Sequence, residues 1–132
     1  MKTTGLTVGD YVFIKPSMIL IKIAFVHQRK VGYYKAPNKL NWVRLSLLAP
    51  IPITPEILER NGFELCDGFF YHRVDDNPHH YDFKLKNDCD GYTLEYNTYH
   101  MPIRYVHRLQ RSLRLHGLND LAGNFKVTSA KR

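Results

Sequence analysis

Long apolar runs are missing from this chain of 132 residues. The most apolar stretch, Met18 to Val26, is interrupted by Lys22 and falls well short of the ~20 residues a membrane span requires, so no membrane segment is expected. Cysteine is scarce: Cys66 and Cys89 are too few and too far apart for a zinc motif, and packed thiols are expected in preference to a disulfide. The opening Met1-Lys2-Thr3-Thr4-Gly5 lacks the apolar stretch and small-residue cleavage site of a secretory signal, which points to a chain that is not exported. Glycine-rich phosphate loops, H-E-x-x-H, paired C-x-x-C and the G-x-S-x-G elbow do not occur. Nothing therefore marks the chain as an enzyme, and no cofactor or metal is called for. Repeats, low-complexity tracts and linkers are lacking too, so one domain over 1–132 is expected.

What the chain does have is aromatic and basic. Hydrophobic residues reach 44% and charged residues 23%, near the globular averages, so there is enough apolar matter to offset the entropy of ordering. Nine Tyr, seven Phe and a single Trp favour sheet surfaces, where a large ring with a polar tip is useful half-buried. The formal net charge is +7 and unevenly spread: residues 1–66 carry +5, 67–102 carry −4 and 103–132 carry +6. Basic ends and an acidic middle favour an anionic partner if the ends share a surface.

The pattern along the chain predicts an α+β fold, a curled, small barrel-like antiparallel sheet with one short and one longer amphipathic helix. Gly9-Asp10 leads into an apolar strand ending near Ile14. Ile19 to Val26 alternates as a second strand, with Ile19, Ile21 and Ile23 on one side. Trp42 to Leu48 reads as a third, Trp42, Arg44 and Ser46 opposing Val43, Leu45 and Leu47. Thr54, Pro55 and Glu56 form a helix start and Asn61-Gly62 a stop, giving about two turns. Strands are expected at Phe69 to Val74, Tyr81 to Lys86 and Tyr92 to Tyr96, with turns at Asp75 to Pro78 and Asn87 to Gly91. After Pro102, Val106, Leu109 and Leu113 define the apolar stripe of a helix from Ile103 to His116, and Phe125 to Val127 reads as a last strand.

Three blocks, Leu6 to Val12, Pro50 to Phe63 and Tyr105 to Gln110, resemble in that order small hypothetical proteins of phages and mobile elements of gut bacteria. The resemblance covers about a third of the chain. It implies a phage or mobile-element origin and a cytoplasmic setting, and brings no settled function.

Two constellations carry candidate chemistry. Arg104, His107, Arg108, Arg111 and Arg114 recur on one face of the second helix, where arginine forks suit phosphate oxygens; the plain alternative is a solvated outer face. Arg29, Lys30, Lys35 and Lys39 beside Tyr33 and Tyr34 combine charge for phosphate with rings for stacking, against the alternative of an exposed, solubilising hairpin. His72, His79 and His80 near Asp75, Asp76 and Asp82 lack ligand spacing and fit a polar turn. The expected function is thus non-enzymatic capture of nucleic acid or a nucleotide, Arg29, Lys30, Tyr34 and Lys35 assisting the helix. The alternatives are an inhibitor of a host anti-phage defence, by nucleotide sequestration or by binding a defence protein, and a structural or virion assembly component. The sequence leaves the oligomeric state open.

Overall fold

The computed structural model describes residues 6–72, 83–88, 91–96 and 99–127. In chain order come β1 (Tyr11–Ile14), β2 (Ile19–Lys22), β3 (Phe25–Val26), β4 (Lys30–Ala36), β5 (Lys39–Arg44), a 3-10 turn at Leu45–Leu47 and β6 (Leu48–Ala49). Helix α1 (Pro55–Arg60) precedes β7 (Glu64–Cys66), β8 (Phe69–His72), β9 (Phe83–Asp88), β10 (Gly91–Tyr96) and β11 (Tyr99–Ile103), and α2 (Val106–Leu115) and α3 (Asn119–Gly123) follow. The class is α+β, as expected. The strands form three antiparallel ladders, β2-β1-β6, β3-β4-β5 and β11-β10-β9-β8-β7, and none of them closes into a barrel. None of the described helices is long and apolar enough to cross a membrane.

The described residues divide into two compact units, one of residues 6–51 with Tyr105–Phe125, the other of those between Pro52 and Arg104 with Lys126 and Val127. In the first, the apolar alternation of the strands fills a core of Leu6, Val12, Ile21, Ile23, Val31, Val43 and Leu48, with Ile14, Tyr33 and Leu45 packed against it. The expected strand from Ile19 to Val26 is split. The Ile23 N–H still donates to the Asp10 carbonyl, whereas the Ala24 N–H donates to Gly32, so the chain passes there from one sheet to the next. The expected strand through Leu48 ends at Arg44, where the 3-10 turn takes over.

Helix α2 begins at Val106, later than its pattern promised, because Pro102 and Ile103 pair with Thr93 and Tyr92 in β11. Its buried face carries an amide staple. The Gln110 Nε2 donates to the carbonyls of Gly9 and Ala122, each at 2.9 Å, and its Oε1 accepts from the Tyr11 N–H at 2.9 Å. One turn on, the Arg114 Nη1 donates to Asp10 Oδ1 at 2.6 Å, and Asp10 Oδ2 accepts from the Thr7 N–H. Burial pushes the Asp10 carboxyl above its usual range although Arg114, the Thr7 N–H and Arg111 all pull it down. Desolvation outweighs the pairing gain, as is common for buried ion pairs.

In the second unit Thr54 caps α1 as its sequence requires, Oγ1 accepting from the Ile57 N–H at 3.2 Å, and Gly62 at φ +85° ends it. Asn61 plays the part Gln110 plays in the first unit: its Nδ2 donates to the Ile57 and Lys126 carbonyls and its Oδ1 accepts from the Lys126 N–H. The expected three-stranded meander gains β7 on one side and β11 on the other. Phe70, Phe83, Leu85, Tyr92 and Leu94 are buried, and Phe63 meets the Phe83 ring edge-on. Phe125 to Val127 is not a strand, and α3 is an element the sequence pattern did not announce. The expected turn at Asp75 to Pro78 lies outside the described residues.

Two substitutions test these assignments. Gln110→Leu strands an N–H and two carbonyls, and urea unfolding is expected to show a loss of roughly 2–5 kcal/mol. His107 is buried with Nδ1 unpartnered, and burial, aided by the Arg108 charge, lowers its pKa from 6.5 to about 4. The folded ring thus stays neutral where the unfolded one is protonated, so stability is full above pH 6.5 and is lost as the pH falls to about 4. His107→Leu should abolish that loss, on the order of 3 kcal/mol at the acid end by pH-dependent denaturation. Asp10 acts in the opposite sense, so the difference between the two proteins isolates the histidine.

Candidate functional site

Strand alternation puts Lys30, Gly32 and Tyr34 on one face of β4 and Val31 and Tyr33 on the other. Val31 is buried in the core, while Tyr34 is 54% exposed, Trp42 46% and Phe25 44%. Such exposure of three large rings on one small sheet is unusual for surface that only meets water. Gly32 faces Phe25 on β3 and Trp42 on β5, so no side chain stands between the two rings. A β carbon there would come within 3.2 Å of the Trp42 ring and 3.3 Å of Leu40 Cδ1. The indole therefore lies down on the bare backbone of Gly32. Phe25 is 6.1 Å from Trp42 and 6.3 Å from Tyr34, centroid to centroid, which makes the three rings one ledge.

Cations crowd one end of the ledge. Lys30 Nζ stands 4.7 Å from the Trp42 ring centroid, within the range of an attractive cation–π contact. Lys30, the first residue of β4, is directly opposite Arg44, the last of β5. Beside them an open hollow of about 520 Å³ is lined by Arg29, Lys30, Arg44, Leu45 and Ser46. Its wall is fixed by main-chain bonds, the Leu45 N–H donating to Arg29 and the His27 N–H to Lys30. Among the described residues no carboxylate pairs with Arg29, Lys30 or Arg44.

Arg29, Lys30 and Tyr34, singled out from sequence, thus meet on this face. Lys35 does not join the hollow: it falls at the bulge between Tyr34 and Ala36, at the far end of the ladder from Lys30, beside Lys39. The basic stripe expected on the second helix is largely dispersed. Arg108 and Arg111 are exposed on α2, but Arg114 is engaged by Asp10 and His107 is buried and neutral. Arg104 precedes the helix and belongs to the second unit, where its carbonyl accepts from the Ile53 N–H. Cys66, expected to be packed, is an exposed free thiol.

Phe25, Trp42, Arg44 and Ser46 were not assigned to the site from sequence. The alternation of Trp42, Arg44 and Ser46 against Val43 and Leu45 already showed the strand's outer face. What it lacked was the β3–β4 pairing that brings Phe25 alongside. Among the described residues no group of three His, Cys, Asp or Glu side chains could hold a metal ion. His79, His80, Asp75, Asp76 and Asp82 lie outside the described residues.

No protein-family model matches this chain, and no curated protein or solved structure does.

Trp42 is the only tryptophan, so its emission reports on the ledge directly. Gly32→Val should lift the indole off the strand, shifting its emission to the red and costing about 1–3 kcal/mol by overpacking. An unchanged spectrum would mean that the ring does not rest on Gly32.

Proposed function

We propose that this chain is a non-enzymatic binding protein that captures single-stranded nucleic acid on the β3–β4–β5 face. The observation that carries the reading is the ledge of Phe25, Tyr34 and Trp42 with Lys30, Arg29 and Arg44 at its end. Rings supply stacking surface that any base can use, and the cations hold the backbone. Spacing favours single strands. The rings are 6.1 and 6.3 Å apart, whereas bases stacked in a duplex rise by ~3.4 Å per step, so consecutive bases must unstack to lie on neighbouring rings. A duplex offers base edges and phosphates, for which exposed ring faces are a poor match. The helix-face mechanism has less support, since only Arg108 and Arg111 of its residues are exposed on α2. A phage or mobile-element origin, which the sequence resemblance implies, is compatible with a protein that works on nucleic acid inside a carrying cell.

The test is titration with oligothymidylate, the matching duplex and a mononucleotide, following Trp42 emission and the anisotropy of labelled strands. The single strand should quench Trp42 and bind more tightly than either competitor, with affinity falling as salt rises. Trp42→Ala should weaken binding by about 1–3 kcal/mol, roughly five- to 150-fold. Equal binding of single strand and duplex, or of Trp42→Ala and the parent protein, would falsify the stacking mechanism. Tight binding of the mononucleotide alone would replace it with nucleotide sequestration. Binding of no nucleic acid at all would leave the exposed Val26, Leu40 and Trp42 as a surface for a protein partner.

A further inference from the structure

The hollow at the end of the ledge has a chemistry of its own. Lys30 and Arg44 stand opposite each other on paired antiparallel strands, an arrangement that repels and lowers the stability of the sheet. Arg29 adds a third positive charge to the same lining, and Ser46 contributes a hydroxyl. No carboxylate among the described residues forms an ion pair with them. Three cations around one open concavity of about 520 Å³ make a favourable place for an anion, and the hollow has ample room for a phosphate group.

The position of the hollow narrows the kind of phosphate. Lys30 opens β4 and Arg44 closes β5, so the ladder, and the ledge with it, stops there. A strand that follows β4 from Tyr34 past Trp42 meets the hollow beyond the last ring, so the phosphate that enters it is the one next to the last stacked base. An internal phosphodiester carries one negative charge. A terminal phosphate monoester carries about −1.5 to −2 near neutrality, with a second pKa of about 6, and is the better match for three cations. Arginine forks add paired hydrogen bonds to its oxygens, and the Ser46 hydroxyl can donate another.

We infer that Arg29, Lys30, Arg44 and Ser46 form a subsite for the terminal phosphate of a bound single strand, next to the base held on Trp42. The inference rests on the single-strand reading above and adds end recognition to it. Lys30 links the two parts, its ammonium being close to the Trp42 ring while its strand position faces Arg44.

The experiment compares three tetrathymidylates that differ only at their ends: one with hydroxyls at both, one with a 5′-phosphate and one with a 3′-phosphate. Binding is followed by Trp42 quenching at fixed salt. One of the two phosphorylated strands should bind about tenfold or more tightly than the hydroxyl-ended strand, and the other within about twofold of it. The advantage should shrink below pH 6, as the monoester takes up its second proton. Arg44→Gln should remove the advantage, weakening the phosphorylated strand about tenfold or more and the hydroxyl-ended strand by much less, and should not lower the melting temperature, because it relieves the Lys30–Arg44 repulsion. Arg29→Gln, at an exposed position, is the companion variant should Arg44→Gln prove unstable. Equal binding of the three strands overturns the subsite and leaves the ledge intact, as does an advantage that survives in both variants. Failure of all three strands to bind overturns the single-strand reading itself.

Discussion

The carboxamide of Gln110 holds three distant stretches of the first unit in one place. It reaches Gly9 and Tyr11 at the start of β1 and Ala122 at the end of α3. A side chain with two donors and an acceptor, wholly buried, has no water to fall back on, so its geometry is all-or-none: either the three main-chain groups are where it needs them or each is left desolvated. The Asp10–Arg114 pair one turn away fixes the same loop with charge and is costlier, since Asp10 is fully buried and its carboxyl is driven up by desolvation. Setting the Gly9–Asp10 turn also sets Ile23, because Gly9 and Asp10 bond its main chain on both sides. From Ile23 the chain steps directly into β3 and the aromatic ledge. The exposed face thus inherits its position from a buried amide that never touches it.

On that face a glycine does the decisive work by having no side chain. Gly32 sits in the centre of the β3–β4–β5 ladder, where an ordinary residue would separate Phe25 from Trp42. With it, two rings from different strands converge on bare backbone and a third, Tyr34, joins from the next outward position of β4. A glycine inside a strand weakens it, and here the indole covers the exposed main chain and offsets part of that cost. Stability and surface chemistry are served by the same ring.

Features governed by near neighbours were legible in the sequence. The Thr54–Pro55 start and Asn61–Gly62 stop of α1, the Gly9–Asp10 turn, the stripe of Val106, Leu109 and Leu113, and the core sides of most strands all follow from spacing and local backbone chemistry. Boundaries set by pairing did not. Periodicity extends α2 back to Ile103, but β11 claims that residue for a partner on β10. Alternation runs straight through Ile23–Ala24 and Arg44–Leu45, where the structure changes sheet or forms a turn. The same limit applied to the site. Arg29, Lys30 and Tyr34 stood out because they are close in sequence, whereas Phe25 and Trp42 belong with them only through cross-strand register. On α2 the pattern of basic residues was visible, and nothing local revealed that Asp10, 104 residues away along the chain, would take Arg114.

The facing pair of Lys30 and Arg44 has a bearing on how this protein responds to selection. As a facing pair of like charges they weaken the sheet that carries them, and a neutral or acidic residue at position 44 would make a better ladder while keeping the Lys30–Trp42 contact. A screen that rewarded only heat resistance would therefore favour replacing one of them, and its most robust winners would have dismantled the positive hollow. Retention of both charges across a set of thermally selected or naturally diverged chains would thus record a pressure other than stability, written into a pairing that the fold alone would have discarded.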